Sequence, residues 1–123
     1  IAFGVALDYM NSIGFDNIEN HEKELLDYAT ENLKKIDGIK IFGDNNQKIS
    51  VISFNIGDHH PSDIGSILDQ FGIAVRTGQH CTQPIMDFYK IPGTIRASFS
   101  FYNTKSEIDL FIDALIKASK MLG

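Results

Sequence analysis

Ile39-Lys-Ile-Phe-Gly-Asp-Asn-Asn-Gln-Lys-Ile-Ser-Val-Ile-Ser-Phe-Asn-Ile56 is the stretch that decides the fold. Ile39 to Phe42 reads as a short strand and Gly43 to Asn46 as a turn. Ile49 to Ile56 alternates apolar with polar residues, as a half-buried strand does, so the pair forms a hairpin. Upstream, Ile1 to about Ile13 has helix-like content and ends at Gly14. The run from Asn17 to Ile36 places Ile18, Leu25, Tyr28, Ala29, Leu33 and Ile36 along one face, and Asp37-Gly38 stops that helix. Downstream, Asp58-His-His-Pro-Ser-Asp63 resembles a helix entry, with proline tolerated in the first turn. Ile64, Ile67, Leu68 and Phe71 mark that helix's buried face, and Gly72 closes it.

Ile73 to Arg76 reads as a third strand, Pro84 to Tyr89 as a short helix, and Thr94 to Phe101 as a fourth strand. In the last of these, Ile95, Ala97, Phe99 and Phe101 alternate with Arg96, Ser98 and Ser100. Thr104-Lys-Ser-Glu107 is a capping-box pattern that opens a final amphipathic helix with Ile108, Phe111, Ile112 and Leu115. The expected fold is α/β (α+β): a small, mostly antiparallel sheet of about four strands packed with helices. Internal repeats, low-complexity tracts and linkers are absent from the sequence, so residues 1–123 read as a single domain.

Composition narrows the function. A chain of 123 residues with 43% hydrophobic content can bury one compact core. Its 16 acidic and 11 basic residues give a formal charge of −5, which argues against binding nucleic acid or an anionic membrane surface. A single cysteine excludes an internal disulfide and favours a reducing, cytoplasmic compartment. No stretch resembles a membrane span or a cleavable signal. The apolar opening Ile1-Ala-Phe-Gly-Val-Ala-Leu7 reads as a helix already under way, as expected of a fragment of something longer.

That one cysteine, Cys81, stands in Val75-Arg-Thr-Gly-Gln-His-Cys-Thr-Gln-Pro-Ile85, on a loop between a predicted strand and a predicted short helix. Loops are where catalytic groups concentrate. Arg76, a protonated His80 or the amides of the following helix would each favour the reactive thiolate. The competing reading is a small buried hydrophobe, the commonest role of a free cysteine. Arg96 sits on the polar side of its strand among small serines, with room for a ligand, and a guanidinium fork suits a carboxylate; a solvent-facing strand arginine is the alternative. His80 beside Cys81 suggests a thiol and base pair, although sequence neighbours rarely have the geometry for proton transfer. His59 and His60 are adjacent and lack further ligands at metal spacing, so a metal site is not expected.

Three blocks together, Gly57-Asp-His-His-Pro-Ser-Asp-Ile-Gly65, Gly72 through Met86, and Ile95-Arg-Ala-Ser98 with Tyr102-Asn103, resemble the SUF-type (group II) cysteine desulfurases. The resemblance runs through nearly the whole chain, including Ala6-Leu-Asp-Tyr-Met10. It departs from the pattern at Thr82, where the family often carries alanine. It implies the C-terminal small domain of a class V, fold-type I pyridoxal-phosphate enzyme that converts L-cysteine to L-alanine and leaves a persulfide on a protein thiol. By position, Cys81 matches the persulfide-forming nucleophile and Arg96 the residue that holds the substrate carboxylate. His80, Gln79 and Arg76 would shape the loop. The family's cofactor-binding lysine and phosphate-binding residues have no counterpart here, so the chain alone is expected to be inactive. A homodimer, a sulfur-acceptor protein of the SUF system and a role in iron–sulfur cluster assembly follow from the same resemblance. Competing readings are a selenocysteine lyase-like enzyme, a stand-alone persulfide carrier and a noncatalytic regulatory or oligomerisation domain.

Overall fold

The computed structural model describes residues 1–45 and 48–123. Among the described residues, five helices and four strands follow in the order α1 (Ala2–Ile13), α2 (Phe15–Leu33), β1 (Ile39–Phe42), β2 (Val51–Ile56), α3 (Pro61–Gln70), β3 (Arg76–Gly78), α4 (Gln83–Tyr89), β4 (Thr94–Ser98) and α5 (Lys105–Leu122). The sheet is antiparallel throughout, in the order β1-β2-β4-β3. The hairpin of β1 and β2 is present, with Ile39 opposite Ile56 and Phe42 opposite Ser53. Of its expected turn, Asn46 lies outside the described residues.

Alternation divides the sheet into two faces. Ile52, Phe54, Ile56, Ile95 and Ala97 are buried against α2, α3 and α5, where Leu25, Leu33, Leu68, Ile108 and Leu115 complete the core. The other face carries Phe42, Ser53, Arg96 and Arg76, which lie in one row across all four strands. Helix α4 reaches over this face, where Tyr89 meets Phe42 with ring centroids 5.1 Å apart.

Local chemistry sets the helix ends. His60 caps α3 through Nδ1, which accepts from the Ser62 amide, and Pro61 follows at the first helical position. The capping box of α5 is complete: Thr104 Oγ1 accepts from the Glu107 amide, and the Glu107 carboxylate accepts from the Thr104 amide at 2.8 Å. Hydrogen bonds donated to it hold the Glu107 carboxyl below its usual range, the Thr104 amide contributing most and the Asn103 side chain next.

Three strand boundaries differ from the sequence expectation. The third strand occupies Arg76–Gly78 instead of Ile73–Arg76. Two close approaches fix it there. Gly65 of α3 leaves space for Thr77, and Gly93 lets its backbone lie against Gly78, where an added Cβ would stand 2.8 Å from the carbonyl carbon. The fourth strand ends at Ser98 instead of Phe101, because Asn103 turns the chain: its amide donates to the Ser100 carbonyl and its side chain accepts from the Ser100 amide. The second strand begins at Val51, after a tight turn in which the Val51 amide donates to the Ile49 carbonyl. Helix α2 likewise starts two residues earlier than expected and ends at Leu33, with 33–36 in tighter turns.

Candidate functional site

Cys81 is exposed, so the reading of a buried small hydrophobe is set aside. It lies in a four-residue turn, Gln79-His80-Cys81-Thr82, closed by the Thr82 amide donating to the Gln79 carbonyl at 2.9 Å. Both central residues have positive φ, 54° at His80 and 61° at Cys81. This is a type I′ turn, a geometry that favours Asn-Gly and costs a side-chain-bearing residue of order 1 kcal/mol at each such position. Two side chains hold it. Thr82 Oγ1 donates to the same Gln79 carbonyl at 2.7 Å, and the His80 ring reaches Thr94 at the start of β4, with Nε2 3.2 Å from the carbonyl oxygen and 3.0 Å from Oγ1.

The His80 contact fixes its chemistry. A carbonyl oxygen only accepts, so Nε2 carries the proton and Nδ1 the lone pair. Nδ1 is buried and has no hydrogen-bond partner among the described residues. Burial lowers the His80 pKa; the bond to Thr94 opposes this, and Arg96 and Arg76 add to the lowering. The expectation of a protonated His80 favouring the Cys81 thiolate is thereby weakened: burial and the two arginines favour the neutral ring. Its ring nitrogens make no hydrogen bond to Cys81, so the adjacent pair does not act as thiol and base.

Arg96 is half-buried on β4, directly opposite Arg76 on β3 and Ser53 on β2. Opposed like charges destabilise a strand pair. Among the described residues neither guanidinium has an ion-pair partner within 4.0 Å, the three ion pairs all lying elsewhere. Arg96, Ser53, His80, Thr82 and Thr94 line a cavity of about 370 Å³ whose apolar wall is Phe42 with Ile85, Met86 and Tyr89 of α4. Such a pocket, with a half-buried guanidinium beside hydroxyls, fits a small carboxylate. No lysine lines it, so it offers no amine to which an aldehyde cofactor could be anchored. A larger cavity of about 520 Å³ lies between Ile73–Val75 and α5, but no cysteine, histidine or arginine lines it.

The structure thus carries Arg76 on edge strand β3 and Gln79, His80 and Cys81 in the turn that follows it, next to Arg96 on β4. Gln79 takes part through its backbone carbonyl. His59 and His60 serve elsewhere, His59 against Ser119 of α5 and His60 at the α3 cap. Sequence reading missed Thr94, Thr82 and Ser53 as members of the site. Thr94 reads as an ordinary β-branched strand residue, and Thr82 as a harmless replacement. Only the alternation that put Arg96 on the polar face pointed toward Ser53.

This combination defines a class: a small α/β domain with an antiparallel sheet that presents a loop thiol beside a strand arginine. The chain belongs to the aminotransferase class-V family, whose model matches residues 1–111. It is 44% identical over all 123 residues to a cysteine desulfurase of Cronobacter sakazakii and 48% to a probable cysteine desulfurase of Xylella fastidiosa. It spans 30% of the length of each of these relatives. The crystal structure of the cysteine desulfurase CsdA from Escherichia coli superimposes with a TM-score of 0.86 at 34% identity, over 94% of this chain and 29% of that one.

Proposed function

We propose that this chain is the C-terminal small domain of a longer, pyridoxal-phosphate-dependent cysteine desulfurase. The observation that carries the proposal is the joint placement of an exposed Cys81 in a strained turn beside the cavity that holds Arg96. Identity to named desulfurases along the full chain supports the same reading. In this reading Arg96 binds the carboxylate of L-cysteine, and Arg76, opposite it on β3, adds positive potential. Cys81 takes the sulfur: a sulfur–sulfur bond forms at Sγ, the substrate's carbon–sulfur bond breaks, and the carbon skeleton leaves as L-alanine after gaining a proton. Pyridoxal phosphate, anchored outside these 123 residues, supplies the electron sink that labilises that bond. An exposed thiol then hands its extra sulfur to an acceptor protein. The SUF-type resemblance extends the proposal to a cytoplasmic homodimer that feeds iron–sulfur cluster assembly.

The test is the intact mass of the full-length protein after L-cysteine, with no acceptor or reductant. One added sulfur is expected on Cys81 and none in Cys81→Ser, which keeps its fold. Normal turnover by Cys81→Ser would sink the nucleophile assignment. Arg96→Ala should chiefly raise KM for cysteine, by about ten- to a hundredfold, the cost of losing a charge-assisted hydrogen-bond pair. The chain by itself should release no alanine from cysteine when pyridoxal phosphate is added.

A further inference from the structure

We propose that Thr82 is a positioning residue for the Cys81 thiol, a role that rests on the desulfurase reading above. Three observations carry it. First, Thr82 stands at the N-cap of α4, where a threonine hydroxyl ordinarily accepts from an amide of the first turn, yet no such bond is made. The hydroxyl turns back and donates to the Gln79 carbonyl at 2.7 Å. Second, that carbonyl also accepts from the Thr82 amide at 2.9 Å, so one residue closes the type I′ turn twice. Third, the Thr82 carbonyl accepts from the amides of Ile85 and Met86, at 3.0 and 3.3 Å. Thr82 is therefore the joint between the turn and α4, and α4 is the wall of the cavity that faces Arg96.

The physical need is clear from the backbone. His80 and Cys81 both sit at positive φ without being glycine, so the turn relaxes toward negative φ unless its ends are held. His80 holds one side through Thr94. An alanine at position 82 keeps the backbone bond and loses the second one. In this chain the hydroxyl, committed to the Gln79 carbonyl, fixes where Sγ points relative to a substrate held on Arg96.

The experiment compares Thr82→Val, which keeps the shape and removes the hydroxyl, with Thr82→Ser, which restores it. In the full-length protein, amide hydrogen exchange at position 82 should speed up several-fold to about tenfold in the valine variant and return in the serine variant. The kcat for alanine release should fall by a similar factor, and by more than KM for cysteine changes. Unaltered exchange in Thr82→Val overturns the proposal, and so does faster exchange with a raised KM and normal kcat. A wild-type protein that releases no alanine refutes the desulfurase reading instead, while the exchange comparison still decides whether Thr82 holds the turn.

Discussion

His80 shows how one side chain ties the site to pH. Burial, aided by Arg96 and Arg76, pushes its pKa below the ordinary value near 6.5, and the Thr94 bond only partly offsets this. The folded state therefore takes up its proton less readily than the unfolded chain. Stability from this group is fully present above the ordinary histidine value and is lost as pH falls below it and through the folded value. Denaturant midpoints at pH 7.5 and 5.5 should show this loss, and His80→Gln should remove part of the difference. An identical pH response in the variant would mean that other groups carry it. Protonation also places a donor on Nδ1, a buried atom with no partner, so acid loosens the Cys81 turn along with the domain.

At the scale of elements, the short edge strand β3 depends on glycines for its place in the sheet. A Cβ at Gly93 would stand 2.8 Å from both the carbonyl carbon and oxygen of Gly78, and backbone atoms cannot swing aside. Gly93→Ala should cost about 1–3 kcal/mol in chemical denaturation. Gly4→Ala on α1, where nothing lies within 4 Å, should be neutral or stabilise by up to about 1 kcal/mol. Equal effects would refute the close-approach account. The same contact explains what the sequence concealed. The hairpin, the capping box at Thr104 and Glu107 and the polar face of Arg96 all follow from local pattern, since each is written within a few residues. The shift of the third strand from Ile73 to Arg76 depends on Gly65, Gly93 and Thr77, far apart in sequence. The positive φ values at His80 and Cys81 likewise depend on Thr94, fourteen residues on.

Across the whole molecule, stability is unevenly spread. Helix α1 buries none of its residues, and Phe3, Val5 and Tyr9 are more than half exposed; among ring contacts it has Tyr9 against Phe101 at 6.1 Å. Helices α2 and α5, in contrast, carry the core, with Leu25, Leu33 and Leu115 fully buried. Residues 2–13 should exchange their amides first, and removing them should cost less than about 1 kcal/mol of global stability. A loss of several kcal/mol would show that α1 belongs to the cooperative unit. No helix among the described residues is long and apolar enough to cross a membrane.

The facing pair of Arg76 and Arg96 also gives the cavity a direction. One guanidinium stands at the exposed edge strand and the other deeper on β4, with a neutral imidazole beside them. A zwitterion entering that cavity would be turned like a compass needle, its carboxylate drawn toward Arg96 and its ammonium away from it. Polarity of approach, not close contact, is what such a field selects first, and a ligand presented cationic end first would be disfavoured.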